Sequence, residues 1–205
     1  MQGKYAVSQD RYCYPNSNVL INLLDIRDSA LLSEAEAEFT AERFRTYKAP
    51  ELSTADFTLQ HLKHLHHHLF QDIYDWAGKI RDVDISKGST RFCTWSRIEP
   101  EASKLFKIIP TLEYEKTERE FIAKLADLFC EINLLHPFRD GNGRVQRFFF
   151  EEMLFTLGYD VSWPRIPQQE WIDANIAGVN LDLSPLEAIF SLAISPKADC
   201  NNRPL

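Results

Sequence analysis

No continuous helix can contain the stretch that separates the two longest apolar-periodic segments of this 205-residue chain. It reads His136-Pro137-Phe138-Arg139-Asp140-Gly141-Asn142-Gly143-Arg144-Val145-Gln146-Arg147. Pro137 has no amide proton to give to a helix, and Gly141 and Gly143 permit a tight turn. Upstream, Thr117-Glu118-Arg119-Glu120 forms a capping box, followed by Ile122, Leu125, Phe129, Ile132 and Leu135 at helical spacing. Downstream, a new helix is predicted to open near Gly143. It carries Val145, Phe148, Phe149, Met153 and Leu154 inward until Gly158. The fold must therefore present a helix, a short polar turn and a second helix as one unit.

The rest of the chain reads as helix too, with one exception. Ser33-Glu34-Ala35-Glu36 resembles a capping box, and the segment to about Thr46 is predicted to be helical, ended by Pro50. A long helix is predicted from Thr54 to Ala77, because Leu62, Leu65, Leu69, Ile73 and Trp76 form one stripe, with Gly78 as its stop. Further helices are expected over Gln168–Ala177 and Leu186–Ile194, the last opened by Ser184-Pro185-Leu186-Glu187. The exception is Ile80 to Trp95, where Val83 and Ile85 alternate against Asp82, Asp84 and Ser86 around Lys87-Gly88-Ser89; this is a hairpin signal. The expected architecture is all-α: a helical bundle with one β-hairpin, built as a single domain over residues 1–195 with a flexible tail at 196–205.

Composition excludes several classes. The chain is 44% hydrophobic, enough for a packed core, and carries a net charge of −7. No basic run offsets that charge, so no direct nucleic-acid contact is expected, although a local cleft can still bind an anionic nucleotide. No apolar run approaches ~18 residues, so no membrane span is expected. The four cysteines form no CxxC pair, and no apolar leader follows Met1. A reducing, cytoplasmic setting is the expectation.

The turn at 136–147 collects the side chains that phosphoryl-type chemistry needs. A helix start preceded by glycines turns unpaired amides and a positive dipole end toward an anion. Arg144 and Arg147 lie on the first turn of that helix, each offering a planar fork to phosphate oxygens. Asp140 is a hard carboxylate beside the phosphate position, where Mg²⁺ is usually held. His136 ends the preceding helix and can take a proton from a hydroxyl near neutral pH. Phe138 is expected to turn into the core and anchor the loop. Each feature alone is common; their conjunction in twelve residues is not.

Those twelve residues resemble the signature of the Fic family, HxFx[D/E]GNGRxxR, at every constrained position. Softer likeness extends to Tyr14-Pro15-Asn16-Ser17-Asn18-Val19-Leu20, to Gln71-Asp72-Ile73-Tyr74-Asp75-Trp76-Ala77-Gly78, to Val83-Asp84-Ile85 and to Glu131-Ile132-Asn133-Leu134-Leu135. The small bacterial, toxin-like type fits best, over about residues 10 to 195. The resemblance implies a Fic fold and protein adenylylation, the transfer of AMP from ATP to a hydroxyl side chain of a target protein. It implies His136 as the base, Asp140 as the Mg²⁺ ligand, and Gly141, Asn142 and Gly143 as the anion hole. Arg144 would steady the leaving pyrophosphate and Arg147 the γ-phosphate. The hairpin (Asp82, Val83, Asp84, Ile85, Ser86, Lys87 and Gly88, within a flap over about 80–97) would pair with an extended segment of the target.

The resemblance also implies regulation. Inhibited relatives carry an [S/T]xxxE[G/N] helix whose Glu meets the second signature arginine. Here only Thr111 has a Glu four residues on, Glu115, and Lys116 follows it. A separate small antitoxin offering a Glu to Arg147 is therefore expected. Type II topoisomerase ATPase subunits are targets implied by resemblance alone. Alternatives remain open: phosphorylation or phosphocholine transfer on the same fold, or a docking module without catalysis. His61, His64, His66, His67 and His68 crowd one helix; with no third ligand beside His64 and His68, a solvated face is the expectation rather than a metal site.

Overall fold

The computed structural model describes residues 10–115 and 117–197. Seven α-helices order its core: α1 (Ser29–Thr46), α2 (Leu59–Phe70), α3 (Ile98–Leu105), α4 (Glu118–Leu135), α5 (Asn142–Thr156), α6 (Gln168–Val179) and α7 (Ser184–Ala193). The centre is α4 against α5. From α4, Leu125, Phe129, Ile132 and Leu135 turn inward; from α5, Val145, Phe149, Phe150, Met153 and Leu154 do so. Helices α2 and α3 flank this pair, α6 and α7 cover α4, and α1 lies on α2. Buried aromatics interlock at the middle, where the Phe149 ring meets those of Phe57, Phe106 and Phe150.

Caps explain where the helices begin. Thr117 accepts from the amide of Glu120, and its hydroxyl donates to the Glu120 carboxylate, so Thr117 caps α4 as predicted, with the Glu120 carboxylate on the cap's hydroxyl. At α1 the cap is Asp28 instead of Ser33, its carboxylate accepting from the amides of Ala30 and Leu31, which adds a turn to the predicted helix. At α7 Ser184 is already helical, with Pro185 beside it in the first turn.

The helix expected over Thr54–Ala77 is shorter. Thr54–Asp56 is a 3-10 turn, Thr58 caps α2, and α2 ends at Phe70. The Gln71 side chain donates to the carbonyl of His68, and the Ile73 carbonyl accepts the amide of Leu23, so backbone groups that would continue the helix are used elsewhere. The stripe is satisfied all the same, since Ile73 and Trp76 are buried from turns.

Two small sheets complete the fold. The predicted hairpin is present, with β1 (Ser86–Lys87) antiparallel to β2 (Thr90–Arg91) and Gly88 at φ +58° in the turn. Beneath it Ile85, Phe92 and Val83 form a small apolar cluster of their own. The second sheet had no counterpart in the sequence reading: β3 (Tyr159–Val161) pairs antiparallel with β4 (Ile194–Pro196). Three-residue strands over thirty residues apart give no alternation to detect. Pro196 and Lys197 therefore are not frayed, Lys197 donating its amide to the Gly158 carbonyl, while the remainder of the expected tail, 198–205, lies outside the described residues.

Phe149 is fully buried among three other rings. Phe149→Ala is expected to lower unfolding stability by about 3–5 kcal/mol, read from urea denaturation.

Candidate active site

The α4 helix stops because His136 adopts a left-handed conformation, φ 43° and ψ 60°. A non-glycine residue held there is strained by about 1–2 kcal/mol, so neighbouring contacts must hold it. They do. Its Nδ1–H donates to the carbonyl of Asn133 at 2.9 Å, and its ring stacks on Phe92 at 3.8 Å between centroids. That bond fixes the tautomer in which Nε2 carries the lone pair.

The turn after it is braced from within and from below. The Asn142 side chain accepts the amide of Phe138 at 2.9 Å and donates to the carbonyl of the same residue at 2.8 Å, clamping the loop across itself. Phe138 is fully buried, as expected of an anchor, and its ring stacks on His66 at 3.8 Å. His66 receives the Gly78 amide on Nδ1, so its Nε2–H donates to the Asp140 carbonyl at 3.0 Å. The Asp140 carboxylate accepts the Gly141 amide at 2.6 Å.

The two glycines serve different ends. At Gly141, φ is +78° and an added Cβ would lie 2.5 Å from the Phe70 ring, so only glycine fits. At Gly143 the backbone is helical and an added Cβ would meet nothing within 4 Å. Its lack of a side chain leaves open space at the start of α5, where the first amides have no intrahelical acceptor. That space suits an oxyanion group approaching the backbone.

Arg144 and Arg147 are held differently. Arg144 donates to Glu36 of α1 at 2.6 Å and lies over the Phe70 ring, while the Tyr74 hydroxyl donates to the other Glu36 oxygen. Arg147 lies over Trp171 at 5.8 Å and makes no ion pair among the described residues. Burial, only partly offset by the charge of Glu151, pulls its affinity for a proton down from the usual arginine range.

The hairpin residues predicted as a flap stand beside this loop. Asp82 accepts the Tyr12 hydroxyl and pairs with Arg11; Asp84 caps the Trp95 amide at 2.8 Å. Ile85 and Phe92 are buried, whereas Lys87 and Gly88 at the tip are exposed. No third strand joins β1 and β2 among the described residues.

One reading is corrected. The histidines of α2 form a solvated face only in part: His64 and His67 are exposed, but His66 is fully buried, His61 pairs with Glu152 of α5 at 2.8 Å, and His68 donates to the Arg43 carbonyl. Helices α1 and α5 and the loop pack against α2, so His66 lies inside the fold although its neighbours in sequence are polar. No metal-binding cluster of three His, Cys, Asp or Glu residues occurs among the described residues. As site residues, His66, Glu36, Phe70 and Trp171 escaped the sequence reading because they lie 24 to 108 residues from the loop residues they serve, at ordinary helix positions.

Comparison with known proteins agrees with this geometry. The family model described as Fic/DOC matches residues 56–154. A probable protein adenylyltransferase Fic of Salmonella typhimurium is 43% identical over 197 residues, covering 95% of this chain and 97% of that protein. Its Escherichia coli counterpart is 41% identical over 199 residues, with 95% and 97% covered. Among solved structures, the N-terminal Fic domain of a Bartonella quintana effector with bound ADP superposes with a TM-score of 0.79 at 28% identity, covering 91% of this chain and 95% of that one. The chain belongs to the Fic/DOC family.

Two expectations test the site. Gly143→Ala should leave the melting temperature unchanged or raise it, since alanine favours helix by up to about 1 kcal/mol, yet weaken ATP binding by at least roughly tenfold in a fluorescence titration. Gly141→Ala should lose both, because of the Phe70 clash. Separately, burial lowers the His66 pKa from 6.5 to about 3. Its contribution is whole above pH 6.5; below that the unfolded chain alone takes the proton. Stability should then fall by about 1.4 kcal/mol per pH unit down to the folded pKa. Urea midpoints at pH 7.5 and pH 5 in wild type and His66→Gln should differ by that one-proton slope.

Proposed function

We propose that the site performs the chemistry the sequence implied. The chain is a protein adenylyltransferase that moves AMP from ATP to a side-chain hydroxyl. The observation that carries the reading is the His136 ring, whose Nδ1–H is committed to the Asn133 carbonyl, so that Nε2 is the basic nitrogen, six residues before the helix start at Asn142. In the reaction Nε2 takes the acceptor proton, the acceptor oxygen bonds the α-phosphorus, and the bond from that phosphorus to the bridging oxygen breaks, releasing pyrophosphate. The amides around Gly141, Asn142 and Gly143 would receive phosphate oxygens. Arg144 would steady the leaving group, and Arg147, without an ion pair, the γ-phosphate. The space at Gly143 favours a full triphosphate lying along the helix start over phosphorylating or phosphocholine chemistry.

Mg²⁺ fits one position. Asp140 is a hard carboxylate at the cradle, and an ion held there would draw its other ligands from phosphate and water. Bound there, it would neutralise phosphate charge. The hairpin supports target docking: with two strands among the described residues, it offers an edge to an extended segment of a target protein.

Regulation by a separate antitoxin follows from Arg147. The only Glu in the right spacing, Glu115, bonds Lys124 and so does not serve Arg147. A Glu supplied in trans would meet a desolvated guanidinium and displace the γ-phosphate. A toxin role, cytoplasmic action and type II topoisomerase ATPase subunits as targets belong to the same reading. No helix of the described residues is long and apolar enough to cross a membrane.

Incubation of the purified chain and a bacterial lysate with ATP labelled on the α- or the γ-phosphate decides the chemistry. Label should enter protein from the α-position only, and His136→Ala should lower incorporation by at least about 10²-fold. Label from the γ-position would reveal a kinase.

A further inference from the structure

Arg81 is the largest side chain that the fold buries completely, at 1% exposure. Burying a guanidinium costs several kcal/mol unless its donors are satisfied. The carboxylate of Asp84 stands 4.0 Å away and is itself partly exposed. Backbone carbonyls accept from the guanidinium. The Nε donates to His136 at 2.8 Å, one terminal nitrogen to Val83 at 2.7 Å, and the other to Cys93 at 2.5 Å and Leu135 at 3.4 Å.

These acceptors belong to two parts of the site. Leu135 and His136 are the last carbonyls of α4, which no helix amide can reach and where a cation is favoured by the helix dipole. Val83 and Cys93 are the two arms of the hairpin at its base. Two backbone bonds join the same pieces: Arg81 donates its amide to Pro137 at 2.9 Å, and Cys93 to Leu134 at 2.9 Å. Phe92, next to Cys93, stacks on the His136 ring.

We propose that Arg81 is a positioning residue whose rigid fork sets the hairpin in register with His136, so that an acceptor docked on the flap meets the imidazole at bonding distance. This rests on the adenylyltransferase reading. The bonds above run from Arg81 to the hairpin arms and the end of α4, so its effect should fall on transfer and not on nucleotide binding. A lysine keeps the charge but presents its donors from one point and cannot span both hairpin arms and the helix end.

The full chain is compared with Arg81→Lys and Arg81→Met. Melting temperature, ATP affinity by fluorescence titration, and kcat and KM for ATP are measured, using AMP transfer from α-labelled ATP to lysate proteins. The expected result is an ATP affinity and KM within about twofold of wild type and a kcat lower by roughly 10- to 100-fold. Amide exchange over Ser86–Arg91 should quicken while α4 and α5 stay protected. The assignment is overturned if a folded variant transfers at the wild-type rate, or if ATP affinity falls in step with kcat. Failure of both variants to fold would also overturn it, by making Arg81 purely structural. A wild-type chain that moves no AMP would instead sink the underlying activity.

Discussion

A six-residue break between α4 and α5 must be rigid for anything else here to matter. Backbone in such a turn has few partners of its own, and a left-handed His136 adds strain. The fold answers with bonds from separate directions: Asn142 bridging both backbone groups of Phe138, His66 holding the Asp140 carbonyl from below, and Arg81 gathering the carbonyls that α4 leaves unpaired. With those in place the His136 tautomer and the amides of α5 are fixed before any ligand arrives. Little binding energy then goes to ordering the site.

Burial of polar groups is the cost of that rigidity. His66, Arg81, His136, Asp140 and Asn142 are all buried. Buried polar groups are tolerated only when paired, and here each bonds a neighbour around the turn. The aromatic neighbours complete the wall: Phe70 closes on Gly141, Phe138 lies on His66, and Phe92 covers the imidazole. One guanidinium is treated otherwise. Arg147 rests on Trp171 without an ion pair among the described residues, and burial lowers its affinity for a proton.

Legibility in the sequence followed the range of the interactions. The chemistry-bearing residues of the site fall within twelve positions, so their types and order could be read directly. The cap at Thr117 and the stripe of α4 are likewise local and were read correctly. Asp28, not Ser33, caps α1, because both residue types cap well and only the surrounding backbone chooses between them. The stripe of Leu62 to Trp76 described burial faithfully but not helix, since turns from Gln71 to Gly78 can bury Ile73 and Trp76 equally well. Five histidines in one helix looked solvent-facing by composition, and packing against α1, α5 and the loop put His66 at the heart of the site.

By itself the sequence determined the break in the helices, the order of base, carboxylate, glycines and arginines within it, the hairpin, and the helical class, because each depends on neighbours a few residues apart. Only the tertiary structure decided which ring nitrogen of His136 is basic, that Glu36 and Trp171 receive the two arginines, that β3 meets β4, and that Arg81 joins hairpin to helix end. The reason is physical: these are contacts between segments tens of residues apart, and a buried polar group acquires its meaning from whichever partner the fold brings within hydrogen-bonding distance.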